Sequence, residues 1–481
     1  MTQPPNILFI MSDQHRADVM GIEGRTDVPT PHLDGLARGG ARFKRAYCNN
    51  AICGASRNSM QTGTLPRTLG VATFEPIGYR GDVVPIQAWL GRHGYATGAF
   101  GKRHLDPRAD VGWDATASTL QRESSSREGW WSWIERRGLT EPAERDWRAE
   151  HGRDKAEPMG CLVSDLPDDA TMEAWTADRT LDFIRDSQAR RRPFFAFCSF
   201  YRPHQPYTPT RSWHERIDPE RIELPTSLSQ PPDNLPPWLA DIRRRHAFPW
   251  CCGAAAESPE LYRFYIHCYL ALVAEIDHHI GRLLRELDTL GLADNTIVVY
   301  TADHGDFVAY HGMVEKAAVG HNVYEDTLRV PMIFRWPGRI QPGERHDLAQ
   351  LADLYPTLCD LANLPTPDAQ PLQGLALGDC LRAGAPVGRG YVVSENGSQS
   401  TVIERRYKLG RWAHPLNPAW DFREAPDLFF DRETDPLEIE NRIEDPTVSE
   451  HVERLSARLN HHLLTTPDDA WQRVAAAAAS T

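Results

Sequence analysis

Long apolar runs are missing from this 481-residue chain. No stretch of 18 apolar residues occurs, so neither a transmembrane helix nor a membrane partner is expected. The opening Met1-Thr2-Gln3-Pro4-Pro5 has no basic region and no small-residue cleavage site, so no secretory signal is expected. A cysteine framework is also missing. Nine cysteines, an odd number, lie scattered without disulfide-scaffold or zinc-site spacing, and the adjacent Cys251-Cys252 pair suits packing. These absences together predict a cytoplasmic protein. Positive charge is scarce: 53 Lys and Arg face 66 Asp and Glu, a net charge of −13. That excess argues against nucleic acid and against long polyanions as partners. There is no internal repeat, and nothing in the sequence speaks to oligomeric state.

What remains is an ordinary globular composition, 41% apolar and 25% charged. Short apolar runs at 6–11, 96–100, 194–200 and 296–300 are bounded by Gly, Pro or polar residues and predict buried strands. Helical patterns lie between them. In the clearest, Tyr269, Leu272, Ile276, Ile280, Leu283 and Leu287 recur at three- and four-residue steps, predicting a helix over most of 258–290. This alternation predicts an α/β domain with a large, mostly parallel central sheet flanked by helices. Ligands of such sheets gather at the carboxyl ends of the strands. Polar stretches at about 105–170 and 205–255 suit long insertions over one face. Beyond breaks at 364–369 and 384–390, residues 391–394 and 407–412 predict antiparallel strands, with a helix at about 448–463. The expected division is a large α/β domain over 1–385 and a smaller C-terminal α+β domain over 386–481. The Ala475–Ala479 run is expected to be a frayed or helical tail.

Five segments carry chemistry. Asp13-Gln14 and Asp303-His304-Gly305-Asp306 each follow a strand, and so do Gly101-Lys102-Arg103-His104 and Arg202-Pro203-His204-Gln205-Pro206. The fifth is Cys53-Gly54-Ala55-Ser56-Arg57, with Thr62-Gly63 beyond it. Each is commonplace alone: an isolated Cys is usually buried packing, and strand-end acids usually cap helices. A lone lysine such as Lys316 is ordinarily surface decoration. Carboxylates and a histidine at strand ends can, however, meet around one divalent cation.

In this order the segments resemble the type I, formylglycine-dependent sulfatases of the alkaline-phosphatase-like superfamily. Further stretches add to the likeness: Arg329-Val330-Pro331, Tyr407-Lys408 and Leu428-Phe429-Phe430-Asp431. The resemblance covers nearly the whole chain except the two insertions. It implies that Cys53 is oxidised to formylglycine by a formylglycine-generating enzyme. One hydroxyl of the hydrated aldehyde then attacks sulfur, and the other expels sulfate. It implies Asp13, Gln14, Asp303, His304 and formylglycine-53 as ligands of Ca²⁺, with Mg²⁺ or Mn²⁺ able to substitute. Asp303 would also receive the nucleophile's proton, and Arg57 would hold formylglycine in position. Lys102 would contact sulfate and nucleophile, and His104 would take the diol's second proton. His204 would bind sulfate and protonate the leaving alcohol, and Lys316 would contact the ester oxygen. The chain departs from the family pattern at three points: Ala55 replaces a usual proline, Gln14 a frequent acid and Arg103 a frequent tryptophan.

Two rivals share the motif. A phosphonate monoester or phosphodiester hydrolase would use the same nucleophile and metal, but retention of Lys102 and His104 favours sulfate. A catalytically silent binder of sulfated ligands would result if Cys53 were never oxidised. Sulfated sugars, aryl sulfates and small alkyl sulfates such as choline sulfate all fit. The Trp and Arg content of the insertions, Trp130, Trp131 and Trp133 among them, tilts the choice toward a carbohydrate sulfate. The acidic charge favours a small ester or a terminal sugar residue.

Overall fold

The computed structural model describes residues 3–71, 80–120, 129–151, 158–228, 258–316, 323–368, 370–396, 399–412, 426–468 and 472. Arg243-Arg244-Arg245, Cys251-Cys252 and the Ala475–Ala479 run lie outside them.

Eight strands form the main sheet. They are β1 (Asn6–Asp13), β2 (Ala41–Tyr47), β3 (Ala96–Gly101), β4 (Ala115–Ala117), β5 (Phe194–Pro203), β6 (Thr296–Ala302), β7 (Met332–Arg335) and β8 (Gly343–Gln350), in the spatial order β4-β3-β5-β1-β6-β7-β2-β8. All neighbours pair in parallel except β7, which runs antiparallel to β6 and β2. The four apolar runs in the sequence are four adjacent strands of this sheet, β3, β5, β1 and β6. β1 is buried along its whole length. Its side chains alternate, so Ile7, Phe9 and Met11 enter one core while Leu8 and Ile10 enter another.

Helices cover both faces. Four of them are used below: α1 (Cys53–Thr62), α2 (Met172–Ala189), α3 (Pro259–Thr289) and α4 (Ser449–Thr465). The periodic residues Ile276, Ile280, Leu283 and Leu287 of α3 join the core that holds Leu8 and Ile10. A second sheet, fully antiparallel, is made of β9 (Val392–Asn396), β10 (Gln399–Ile403), β11 (Tyr407–Trp412) and β12 (Leu428–Asp431), in the order β12-β11-β10-β9. Leu455 and Leu459 of α4 pack on Val393, Val402, Leu409 and Phe429 of this sheet.

The stretch 105–170 is more than an insertion. Its residues 115–117 form β4, the edge strand beside β3. Three residues with no apolar alternation give no strand signal, and only the exposed edge of β3 calls them into the sheet. The rest of the stretch includes helices at Trp130–Arg136 and Thr140–His151. Among the described residues, no helix is long and apolar enough to cross a membrane.

Candidate active site

Topology gathers the site. The parallel strands β1, β3, β5 and β6 lie side by side and end at Asp13, Gly101, Pro203 and Ala302. Asp13, Lys102, His204 and Asp303 therefore emerge along one edge of the sheet, far apart in sequence and near in space.

Cys53 opens α1, so Arg57 sits one turn inside the helix. Ile52 enters in an extended conformation, and its N–H donates to Asn50 Oδ1 at 2.7 Å. Gly54 faces His104: a Cβ at Gly54 would stand 3.5 Å from His104 Nε2. His104 is thus set against the first turn of the helix that Cys53 opens.

The ligand atoms of Asp13, Cys53, Asp303 and His304 all lie within 4.8 Å of one another, and all four residues are buried. Cys53 Sγ is 3.1 Å from His304 Nε2 and 3.7 Å from Asp13 Oδ1. Were Cys53 oxidised to formylglycine, an oxygen of the hydrated aldehyde would stand in the place of Sγ. His304 Nδ1 bonds the Gly305 carbonyl at 2.8 Å, which leaves Nε2 to face the cluster. Asp303 Oδ1 accepts from the backbone N–H groups of Gln14 and His304, each at 3.0 Å. Two carboxylates, an imidazole and one further donor, convergent and shielded from water, suit a divalent cation.

Cations brace this cluster. Arg57 is fully buried; its Nε donates to Asp303 Oδ2 at 2.6 Å and its Nη2 to Asp13 Oδ2 at 2.9 Å. Its Nη1 reaches the Lys102 carbonyl at 2.6 Å and Ser199 Oγ at 3.0 Å. Lys102 Nζ lies 2.5 Å from Asp13 Oδ2. Burial works against the charge on Asp13, but Lys102, His204, Arg57 and His304 outweigh it and hold the carboxyl well below its usual range. Burial and Asp13 push the Cys53 thiol up, and Lys102, Lys316 and His304 together bring it below normal. Burial opposes protonation of His304, yet Asp303 and Cys53 raise it to about 9. Burial, followed by Lys102, keeps His204 well below the ordinary imidazole value. His204 Nδ1 bonds the Gln205 carbonyl at 2.7 Å. Lys316 Nζ bonds Glu315 Oε1 at 2.9 Å and Gln14 Oε1 at 3.0 Å.

All the residues the motifs singled out thus lie in one region. Arg57, expected to hold residue 53, is seen to tie the two acids together. Trp130 is buried, with its N–H on the Ala170 carbonyl at 3.0 Å. Trp130, Trp131 and Trp147 pack edge to face, and Trp147 then meets Tyr201, whose ring lies 5.0 Å from Lys102 Nζ and 5.1 Å from His204. Rather than stacking on a sugar, Trp130 backs the wall behind the cations. Sequence reasoning passed over Ser199, Gln205, Asp306, Tyr207, Tyr265 and Glu315, which bond to the motif residues. Only adjacency hinted at them: Gln205 and Asp306 stand in segments already singled out, and Glu315 directly precedes Lys316.

The comparisons agree with this geometry. The sulfatase family profile matches residues 5–364, and a profile described as N-sulphoglucosamine sulphohydrolase, C-terminal, matches 311–464. An arylsulfatase of Clostridium perfringens is 27% identical over 475 residues, covering 94% of this chain and 92% of its own. An N-acetylglucosamine-6-O-sulfatase of Bacteroides thetaiotaomicron is 27% identical over 409 residues, covering 78% and 70%. The solved phosphonate monoester hydrolase of Silicibacter pomeroyi superposes with a TM-score of 0.79 at 23% identity, covering 97% and 96%. That likeness shows the shared fold. With the profile spanning most of the chain and its motif residues drawn together at one sheet edge, the protein belongs to the sulfatase family, a family of sulfuric ester hydrolases.

Proposed function

We propose that this protein hydrolyses the sulfate monoester of a small sugar or a terminal sugar residue, using an aldehyde hydrate made from Cys53 as its nucleophile. The observation that carries the reading is the buried convergence of Asp13, Cys53, Asp303 and His304, braced by Arg57 and Lys102. The choice of a sugar rests on the N-acetylglucosamine-6-O-sulfatase relative, since Trp130 is buried among its own neighbours.

Asp13, Asp303, His304 and the hydrate at position 53 would hold a divalent cation, Ca²⁺ in the first instance and Mg²⁺ or Mn²⁺ otherwise. When bound, the cation supplies charge that favours the ionised hydrate and polarises a sulfate oxygen. Asp303 takes the proton of the attacking hydroxyl. That oxygen bonds to sulfur as the sulfur–alcohol oxygen bond breaks, and His204 gives the departing alcohol its proton while Lys316 contacts the same oxygen. His104 then removes the proton of the remaining hydroxyl. Its electrons re-form the aldehyde, the carbon–oxygen bond to sulfate breaks, and water restores the hydrate. Lys102 holds the sulfate throughout. Each positioned donor is worth ~2–4 kcal/mol in the transition state. The chemistry would reside within 1–385, in a cytoplasmic enzyme matured by a formylglycine-generating enzyme.

The test joins mass spectrometry of the peptide around residue 53 to an ester panel. Conversion of thiol to aldehyde removes about 18 Da, and active protein is expected to carry that loss. Sulfate release from sulfated mono- and disaccharides is expected to exceed cleavage of phosphonate monoesters. The reverse order would make the protein a phosphonate hydrolase. Full activity with unmodified Cys53 would remove the aldehyde from the scheme. Unmodified Cys53 with no turnover would leave a binder of sulfated ligands.

A further inference from the structure

Four buried side chains beside the cation cluster close into a ring. Lys316 Nζ donates to Glu315 Oε1 at 2.9 Å and to Gln14 Oε1 at 3.0 Å. Gln14 Nε2 donates to Gln205 Oε1 at 3.1 Å, and Gln205 Nε2 donates to Glu315 Oε1 at 2.6 Å. A carboxamide can be turned over without changing its shape, so the direction of the ring must come from members that cannot. An ammonium only donates and a carboxylate only accepts. Lys316 therefore draws the oxygen of Gln14 toward itself, and Glu315 draws the nitrogen of Gln205. The two amides then meet donor to acceptor, without conflict.

Asp306 checks this direction independently. Its Oδ2 accepts from Gln14 Nε2 at 2.7 Å and from Tyr207 Oη at 2.9 Å, and its Oδ1 accepts from Tyr265 Oη at 2.5 Å. Turning Gln14 over would set its oxygen against a buried carboxylate oxygen, a costly contact away from water.

The sequence groups Gln14 with the cation ligands, but the ring gives its side-chain oxygen another task. The group of Gln14 that touches the cluster is its backbone N–H, 3.0 Å from Asp303 Oδ1. Bringing a divalent cation onto an oxygen already held by an ammonium would set two positive charges against each other.

We propose that Gln14, Gln205 and Glu315 are positioning residues that hold the Lys316 ammonium against the leaving oxygen, and that the Gln14 side chain serves Lys316 rather than the cation. Gln205 follows His204 directly, so one ring sets both groups that meet that oxygen. The proposal rests on the hydrolase reading above.

A double-mutant cycle tests it. Gln14→Ala and Glu315→Gln are each expected to slow an ester with a poor leaving group on the order of 100-fold, the scale of a misplaced catalytic group. An activated aryl sulfate, which needs little help at the leaving oxygen, is expected to slow far less. In a Lys316→Ala background the same changes are expected to add less than about twofold, because the residues act as one unit. Calcium affinity, measured by titration calorimetry, is expected to stay within about twofold of wild type, against the 10–100-fold loss typical of a disturbed metal shell. A tenfold loss of calcium affinity in Gln14→Ala, or losses that multiply with Lys316→Ala, would overturn the assignment. Glu315→Gln keeps its shape and covers the case in which Gln14→Ala does not fold. Acetylation of Lys316 by an amine-reactive ester, read by mass spectrometry, needs no turnover and is expected to rise several-fold in both variants. A wild type that cleaves no ester would sink the hydrolase reading and leave the ring to be judged by this labelling. Unchanged labelling in both variants would sink the ring.

Discussion

Arg57 Nε donates to Asp303 Oδ2 at 2.6 Å, and both side chains are sealed from solvent. The same guanidinium reaches Asp13 Oδ2 at 2.9 Å, so one planar group spans two carboxylates that come from different strands. Without a cation between them the acids would repel each other, and Arg57, with Lys102, makes their burial tolerable. Arg57→Ala leaves both acids uncompensated and is expected to cost ~3–5 kcal/mol. Arg57→Lys keeps the charge but presents a single ammonium to two partners, so an intermediate loss is expected. Thermal denaturation of both variants with and without calcium checks this. If Arg57→Ala melts like wild type without added metal, the bracing role is wrong.

The cation cluster makes a second prediction. Asp303→Asn retains the shape but removes a charge and the proton acceptor. Sulfate release is expected to fall at least about 1000-fold, because the proposed ligand loses its charge and the proposed general base is lost with it. Exhaustive chelation is expected to abolish turnover, and re-addition of calcium, magnesium or manganese, one at a time, identifies the working ion. Near-normal activity after either treatment would remove the metal from the chemistry.

The leaving group separates His204 from Lys102 and Lys316. His204 is held well below its ordinary value by burial and then by Lys102, so in the resting site it is neutral and must gain a proton before it can give one. His204→Ala is expected to harm alkyl and sugar sulfates more than nitrophenyl sulfate, because only the former need a proton on the departing oxygen. Rates across a leaving-group series check this, and equal losses throughout would count against acid catalysis.

The sequence was legible where physics is local. The apolar runs ending at Met11, Phe100, Phe200 and Tyr300 are strands because a strand buried on both faces must be apolar at every position. The α3 helix showed itself through its 3.6-residue period. The motif residues Asp13, Cys53, Lys102, His204 and Asp303 could be named because their types and order are distinctive. Their supports could not. Ser199 is one serine among many until Arg57 Nη1 is seen 3.0 Å away, and Gln205 is an ordinary turn residue until its amide bridges Gln14 and Glu315. β4 was hidden for a similar reason, since only its neighbour makes 115–117 a strand.

Two acids behind the site predict how stability changes with pH. Glu173 of α2 rises from 4.5 to about 7 through burial first and then its neighbour Glu275; burial raises Glu275 of α3 to about 7 as well. Arg202 opposes both shifts, and its backbone N–H donates to Glu173 Oε1 at 3.1 Å. The folded state therefore holds protons that the unfolded state releases near pH 4.5. Stability from these groups is full below that pH and is lost as pH rises toward and through 7. Glu173→Gln, which cannot ionise, is expected to lose ~2 kcal/mol less than wild type between pH 5 and pH 8. Urea denaturation of both proteins at the two pH values checks it. Parallel losses would show that Glu173 ionises normally in the fold.

Substrate size follows from where Lys102, His204 and Lys316 lie. Lys102, His204 and Lys316 are 3%, 8% and 2% exposed, so the groups assigned to the sulfate and its leaving oxygen sit at depth rather than on an open face. Inserting a sulfate that deep requires a narrow alcohol behind it. An internal residue of a polymer must carry chain on both sides, whereas a terminal sugar or small ester carries it on one side or not at all. The net charge of −13 adds a long-range penalty that grows with the number of sulfates on the chain. A sulfated disaccharide is therefore expected to release sulfate faster than its parent polymer at equal sulfate concentration. Raising salt from low to moderate is expected to narrow the gap without closing it, because salt screens the charge penalty and leaves the steric one. Product analysis of the polymer is expected to find sulfate lost from chain ends. Release from internal positions at the disaccharide's rate would mean that the chain binds polymers through an open cleft, and the small-ester assignment would fall.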